Sequence, residues 1–354
     1  MKIALATIQT PFIHGGAEYL IHGLLLSLRN AGHLVERVSM PFRFGPDEQV
    51  SRSIEVWQSE DFTLLNGHQA DQVICLQFPT YYLKHPVKAF WLLHQYRAVY
   101  DLWETPFTAE FRKSFGAQSL RQRIIEADTK SLGECWPRFT IAANVSKRLQ
   151  SYNNITSHPI YHPPYLANQF YSADAEAYVF APSRLEEAKR QELLIRAMMY
   201  VQSPLVAIIA GEGGQDSRLR QLTHELKLEN RIKFVGHVSD QEKMALYAHC
   251  LCVFFAPFDE DYGYVTLEAM LAAKPLVTCR DSGGPLEFVV HNETGFIVAP
   301  DPREIANAFD LCSVNGKKAR EMGGEAAKRY EEMDISWDNV VEKLTSPRPV
   351  DWKA

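Results

Sequence analysis

The sequence has no run of 18 consecutive apolar residues, so nothing in it reads as a membrane-spanning helix. It also lacks a signal-peptide pattern. "MKIALATIQTPFIHGG" carries one lysine and a short apolar run without a small-residue cleavage site, and reads as a first β-strand. An excess of basic charge is missing too: 37 Lys and Arg stand against 43 Asp and Glu, a net charge of −6, which excludes a global electrostatic footprint for nucleic acid. Cysteine is sparse. Of the six (Cys75, Cys135, Cys250, Cys252, Cys279, Cys312) only Cys250 and Cys252 lie close together, and no second pair completes a zinc pattern. They are expected to be buried free thiols of a reducing compartment. There is no internal repeat and no low-complexity tract.

What is present is an ordinary globular composition, 46% apolar and 23% charged, over 354 residues. That length favours two domains over one. In the second half, short apolar runs alternate with helical patterns. "YVFAP" (178–182), "LVAIIAG" (205–211), "IKFVG" (232–236), "LCVFFAP" (251–257) and "LVTC" (276–279) are followed by helices expected to start near Gln191, Asp216, Ser239, Tyr264 and Pro285. Continuous apolar strands joined by amphipathic helices imply a parallel sheet covered on both faces, a doubly wound α/β domain. The first half opens in the same way. Strand "KIALATI" leads to Gly15-Gly16 and a helix over 17–30 ended by Gly32, and further strands fall at 72–78, 89–95 and 138–144. Residues 42–70 and 101–137 read as less regular.

"NNITSHPIYHPPYL" holds prolines at 159, 163 and 164 and is the natural linker, since it cannot continue a helix. The expected domains are 1–165, 166–334, and a C-terminal segment 335–354. Two such sheets are expected to face each other across a cleft at the carboxyl ends of their strands, where open α/β sheets bind ligands.

In "APFDEDYGYVTLEAMLAAKPLV" two glutamates lie eight residues apart, Glu260 and Glu268. On a single helix they would stand about 12 Å apart. A glycosidase pair needs roughly 5–9.5 Å, so that reading fails unless Glu260 is on the loop. With Gly263 permitting a tight turn, the helix N-terminus is expected to point at the ligand, its N–H groups favouring phosphate. Glu268, one turn in, would accept from neutral hydroxyls. A plainer reading stands beside this one: the acids offset the helix dipole and Glu268 is a solvated surface residue. A third treats Asp259-Glu260-Asp261 as a metal site for a nucleotide diphosphate. Nearby cations, Arg184 and Lys189 in "APSRLEEAKRQELLIRAM", would serve a diphosphate without metal, although Arg184 could equally pair with Glu186 or Glu187. A charge pair at about 4 Å and an effective dielectric of about 20 gains roughly 4 kcal/mol before desolvation. A helix terminus gives about 0.3–1 kcal/mol. Side-chain cations therefore carry most of such a site.

Taken in order, "SRLEEAKRQELLIRAM", "IIAGEGG", "RIKFVGHVSDQEKMALYAHC", "FDEDYGYVTLEAMLAAKPLVTC", "DSGGPLEFV" and "NETGFIV" resemble the donor-binding half of the retaining glycosyltransferases of family four. Those enzymes have two Rossmann-like domains, the fold called GT-B. The resemblance covers almost all of 178–300, with weaker likeness in "GGAE" (15–18), "HQYR" (94–97) and "YHPPYL" (161–166). The closing "ISWDNVVEKL" (335–344) looks like the family's segment that returns to the N-terminal domain.

The resemblance implies a role for each matching residue. Glu260 contacts the donor sugar, and the backbone of Tyr262, Gly263, Tyr264 and Val265 approaches the sugar and distal phosphate. Glu268 holds the ribose hydroxyls. Arg184 and Lys189 bind the diphosphate, Gly211 lies at the donor, and Gly15 and Gly16 let backbone approach phosphate. His94 faces the donor sugar. Where relatives often carry an acid after this histidine, Gln95 follows here, which leaves the acceptor side of that region open.

The expected reaction moves a sugar from a nucleotide diphosphate sugar to an acceptor hydroxyl with retention, with no cofactor and no metal, in glycan, glycolipid or polysaccharide biosynthesis. Its partners are that donor and a glycan or lipid-linked acceptor; the oligomeric state is unassigned. Alternatives are a sugar-nucleotide epimerase of the same fold and a non-catalytic nucleotide-sugar binder. The expected location is cytoplasmic. The basic stretch "FRKSFGAQSLRQRIIEADTKSL" (111–132) reads either as a peripheral contact with an anionic membrane or as a solvated helix whose acids Glu126 and Asp128 dilute its charge.

Overall fold

The structure is a computed structural model and describes residues 1–12 and 15–347. The chain divides into two compact units. One holds Met1–Tyr165 and the segment from Ile335, the other Leu166–Asp334. Residues 348–354 of the expected C-terminal segment lie outside the described residues.

The first unit contains β1 (Lys2–Gln9), α1 (Gly16–Asn30), β2 (Leu34–Pro41), α2 (Asp47–Ser59), a two-residue hairpin of β3 (Leu64–Leu65) and β4 (His68–Gln69), then β5 (Gln72–Cys75) and β6 (Lys88–Leu92). After these come α3 (Ala109–Arg112), α4 (Ala117–Gly133), β7 (Arg138–Thr140), α5 (Ala143–Asn153) and β8 (His158–Pro159). The main sheet is parallel with order β2-β1-β5-β6-β7-β8. β1 is buried from Ile3 to Ile8, as a strand covered on both faces must be. The stretches that read as irregular hold two full helices. α2 buries Val50, Ile54 and Trp57, which recur at helical spacing on one face. α4 buries Ala117, Leu120, Ile124, Asp128 and Leu132, so its apolar stripe is covered by its own unit. The expectation that Asp128 dilutes surface charge is corrected: its side chain is 0% exposed. Part of the proline-rich linker is also structured, because β8 pairs with β7 at its start.

The second unit runs β9 (Tyr178–Pro182), α6 (Gln191–Ala197), β10 (Val206–Ala210), α7 (Asp216–Glu225), β11 (Ile232–Gly236), α8 (Asp240–His249), β12 (Cys252–Phe254), α9 (Tyr264–Leu271), β13 (Leu276–Cys279), α10 (Pro285–Phe288), β14 (Gly295–Val298), α11 (Pro302–Val314) and α12 (Gly316–Glu332). Its parallel sheet has order β11-β10-β9-β12-β13-β14. Side chains of β9 alternate between two cores. Val179 and Ala181 join one, Tyr178 and Phe180 the other, as a period of two requires. Ser239 starts α8 with a reciprocal capping box to Glu242. Chain order reverses between β9 and β12, which makes the carboxyl ends of those two strands the switch point where such sheets hold ligands.

The chain then re-enters the first unit as α13 (Trp337–Leu344), capped by Ser336. Trp337 explains a glycine in mid-α1: a Cβ at Gly23 would lie 2.2 Å from its indole. Gln72 Nε2 donates to the Leu344 carbonyl at 3.0 Å. All six cysteines are buried and unpaired. Among the described residues no helix is long and apolar enough to cross a membrane.

Candidate functional site

At the switch point of the second unit, three loops are laced together by backbone. The loop after β12 is held on one side by Phe258 N–H donating to Ala188 O (2.8 Å). On the other, Asp259 N–H and Glu260 N–H donate to Asp281 O (2.8 Å) and Ser282 O (2.9 Å). Gly284 N–H returns to Glu260 O at 2.8 Å. Arg190 locks the same three loops from its side chain. Its fork meets both carboxylate oxygens of Asp281 at 2.8 and 2.7 Å, while Nε and the second NH2 donor reach the carbonyls of Ala256 and Pro257, each at 2.8 Å. This planar, bidentate geometry is one that lysine cannot reproduce. Neither Arg190 nor Asp281 stood out in the sequence, where both look like ordinary surface charges.

Glu260 lies on that loop and Glu268 on α9, so the two do not share a helix. Between them the chain turns at Gly263, whose φ of +85° suits glycine, and where a Cβ would meet Phe255 at 3.1 Å and Pro285 at 3.0 Å. The N-cap residue of α9 is Gly263, which has no side chain with which to cap it. The positive end of a helix dipole favours an anion.

Lys189, from the turn before α6, forms an ion pair with Glu260, and its ammonium sits 5.6 Å from the Phe255 ring centroid. Lys189 and Glu260 are 17% and 21% exposed, so the pair is only partly hydrated and each partner fixes the other's rotamer. Arg184 is exposed, and among the described residues its guanidinium forms no ion pair, with Glu186, Glu187 or any other acid. Its loop is seated by glycine. A Cβ at Gly211, where φ is +129°, would lie 2.0 Å from the Ser183 carbonyl oxygen. Gly211 therefore has a packing reason to be glycine, whatever it does for a ligand.

Glu268 is not the solvated residue of the plainer reading. It is 7% exposed, with Oε2 accepting from Tyr247 Oη at 2.6 Å and Oε1 from Lys243 Nζ at 3.0 Å. Burial, then the Glu268 charge, push the Tyr247 hydroxyl well above its ordinary range, so it stays a donor. Lys243 and Tyr247 are four apart on α8, hence on one face of that helix. That spacing was the signal by which they could have been singled out.

In the first unit His94 follows β6 and is half-buried, its Nδ1–H donating to the Gln95 carbonyl at 2.7 Å. In a neutral ring that leaves Nε2 as the acceptor. Gly16 opens α1 and Gly15 is its N-cap residue. Among the described residues no atom comes within 4 Å of a Cβ built on Gly15, so packing does not demand glycine there. Among the described residues no three His, Cys, Asp or Glu side chains converge as a metal-ligand set.

Comparison with known proteins follows this division of the chain. The family described as "Glycosyl transferases group 1" matches residues 167–329. The alpha-1,3/1,6-mannosyltransferase ALG2 of Mus musculus is 32% identical over 144 residues, 36% of this chain and 34% of that protein. A GDP-mannose-dependent alpha-(1-6)-phosphatidylinositol monomannoside mannosyltransferase of Mycobacterium tuberculosis is 30% identical over 176 residues, 46% of this chain and 44% of that one. The matched part thus spans between a third and a half of these relatives. Among solved structures, HepE of Anabaena in complex with UDP is similar over 97% of this chain and 98% of its own, with TM-score 0.69 and 18% identity. Sucrose-phosphate synthase of Thermosynechococcus elongatus is similar over 96% of both chains, with TM-score 0.75 and 17% identity. These two likenesses speak to the fold, two Rossmann-like parallel-sheet domains of the GT-B type. The family match lies within the second unit and covers just under half of the chain.

Proposed function

We propose that this chain is a retaining glycosyltransferase that moves a hexosyl group from a nucleoside diphosphate sugar to an acceptor hydroxyl. The observation that carries the reading is the grouping of Lys189, paired with Glu260, with the N-terminus of α9 on loops bound to one another at the switch point. Positive groups placed where a diphosphate gains charge are the main resource for this chemistry. Lys189 and Arg184 take the diphosphate. Glu260, its carboxylate already oriented by Lys189, takes a sugar hydroxyl, and the backbone from Tyr262 to Val265 lines the sugar and distal phosphate. Glu268, held by Tyr247 and Lys243, keeps acceptor capacity for the ribose hydroxyls.

In the reaction the bond from the anomeric carbon to the diphosphate oxygen breaks, and the acceptor oxygen bonds to that carbon on the same face. The acceptor proton passes to the departing phosphate. His94 of the first unit faces the donor sugar, and Gly15 and Gly16 border its phosphates. Transfer needs no metal. We place the reaction in glycan or glycolipid assembly, with a glycan or lipid-linked acceptor, in the cytoplasm or at its membrane face. GDP-mannose is the first donor to try, because the relative whose name states its donor uses it.

The test is a thermal-shift panel of UDP, GDP, ADP, dTDP and CMP on wild type and Glu268→Ala, followed by transfer assays with and without EDTA. A ligand at about 100 times its Kd adds about 2.7 kcal/mol of stability. A selective shift that weakens in Glu268→Ala supports the site. No shift with any nucleotide overturns it, and loss of transfer in EDTA overturns the metal-free reading.

A further inference from the structure

The His94 ring rests on the Gln95 peptide, and what holds that peptide lies deeper in the first unit. Gln95 is 2% exposed, and its Nε2 donates to Asn153 Oδ1 at the end of α5. Asn153 is itself buried, with Nδ2 donating to Thr129 Oγ1 at 2.7 Å and reaching Tyr100 Oη and the Ile125 carbonyl, each at 3.4 Å. Tyr100 then donates to Asp128 Oδ2 at 2.7 Å, and Tyr82 donates to Oδ1. Every donor points the same way, from Gln95 through Asn153 and Tyr100 to Asp128. Amides have distinct donor and acceptor ends, so the sense of such a chain at one end sets the sense at the other.

Two further observations set this apart from ordinary core filling. Among the described residues Gln95 Oε1 is buried without a partner, a penalty that an apolar side chain of similar size would not carry. Asp128 is 0% exposed and forms no ion pair among the described residues. Burial pushes its carboxyl up to about 7, the hydroxyls of Tyr82, Tyr100 and Tyr81 pulling the other way. The charges on and around α4 are engaged elsewhere, line an outer groove or are exposed. Arg97 and Arg148 meet Asp101, and Lys113 pairs with Glu110. Arg112 donates to main-chain carbonyls of Trp103 and Thr105. Arg52 and Glu55 of α2 line an outer groove with Arg123, which also acts on Tyr82. Glu126 and Lys130 of α4 are exposed.

We propose that Gln95 is a positioning residue for sugar transfer, anchored through Asn153 and Tyr100 on the Asp128 carboxylate so that the peptide bearing the His94 hydrogen bond is fixed. The proposal rests on the reading of His94 as a group that faces the donor sugar. The Asp128 anion accepts from two hydroxyls at once; a protonated Asp128 must donate from one oxygen, and one tyrosine then gives up its donation. When that tyrosine is Tyr100, Asn153 and Gln95 lose their tie to Asp128, and Asn153 Nδ2 is left to Thr129 and the Ile125 carbonyl.

The test uses the full chain with nitrogen-15 in Asn and Gln side chains, wild type and Asp128→Asn. It is followed by NMR from about pH 5.5 to 8.5, a window that brackets the Asp128 midpoint. The Gln95 and Asn153 amide signals are expected to move together with one midpoint near that of Asp128 in wild type, and to stay fixed in Asp128→Asn. In the same proteins kcat for transfer falls toward low pH in wild type with the donor KM unchanged, and Asp128→Asn is flat. Gln95→Leu provides the second variant: kcat drops about tenfold at every pH while the donor KM holds, the signature of lost positioning. Amides that do not titrate in wild type, or that still titrate in Asp128→Asn, overturn the proposal. No turnover with any donor, while the amides titrate together, counts against the transferase reading and leaves the anchoring of the His94 peptide in place.

Discussion

Tyr247 Oη donates to Glu268 Oε2 at 2.6 Å across the packed faces of α8 and α9, while Lys243 takes the other oxygen at 3.0 Å. The carboxylate proposed to hold ribose is thus oriented before any ligand arrives, which lowers the ordering cost of binding. Glu268→Gln is expected to weaken nucleoside diphosphate binding by about 10- to 100-fold, as hydrogen bonds to charged groups are worth about 1.5–3 kcal/mol. Titration calorimetry reads this directly. Tyr247→Phe is expected to cost stability as well as affinity, since it removes a donor from a buried carboxylate. Unchanged affinity in Glu268→Gln would remove Glu268 from the ribose site.

Arg184 and Lys189 separate by what the folded protein itself asks of them. Arg184 is exposed and forms no ion pair among the described residues, so Arg184→Ala is expected to change stability by less than about 0.5 kcal/mol. Its kcat is expected to fall about 100-fold or more, the scale for removing one preorganised charge-stabilising donor. Lys189→Ala loses turnover too, but also removes the Lys189–Glu260 ion pair and lowers the melting temperature. Equal turnover in Arg184→Ala and wild type would end its assignment to the leaving group.

Arg190 and Asp281 are expected to act on loop order rather than on chemistry. With Arg190 15% and Asp281 36% exposed, the pair is partly screened, and Asp281→Ala is expected to cost about 1–3 kcal/mol, below the range for fully buried pairs. In a unit of this size that lowers the melting temperature by roughly 2–4 °C per kcal/mol. Arg190→Lys should behave almost as badly, because an ammonium cannot hold two carboxylate oxygens and two carbonyls together. A scan in which Arg190→Lys melts like wild type would show that the fork is not needed.

These residues also mark where sequence reading stops. The helix starts near Gln191, Asp216, Ser239, Tyr264 and Pro285 were legible because continuous apolar runs before them announce covered parallel strands. The loop position of Glu260 followed from its place between the apolar run 251–257 and Gly263, which permits a tight entry to the helix. β2 was not legible, because this edge strand interposes Glu36 and Arg37 among its apolar residues. Asp128 was misread as a surface acid because the tyrosines that accept its burial, Tyr82 and Tyr100, stand 46 and 28 residues away. The partners of Glu268 and Asp281 were hidden for the same reason. Local composition shows which side chains are charged; only the packing of distant segments shows which charges meet.

Asp128 offers the sharpest dependence on pH. Its carboxyl rises from 3.8 to about 7 on folding, so the folded state binds the proton more tightly than the unfolded chain does. For a group raised in this way, stability is fully present below the unfolded value and is lost as pH climbs through the folded one. The shift of about three units corresponds to roughly 4 kcal/mol at about 1.4 kcal/mol per unit, most of it lost between about pH 4 and pH 7. Asp128→Asn, which mimics the neutral form, should be more stable than wild type at pH 8 and nearly equal to it at pH 4. Urea unfolding at a series of pH values measures the difference. If Asp128→Asn is instead less stable than wild type at pH 8, the carboxylate is held by its two tyrosines more strongly than burial opposes it. If the expected order holds, the chain keeps a destabilising charge under the His94 loop where an amide would fold better, as a site selected for orientation rather than for stability would.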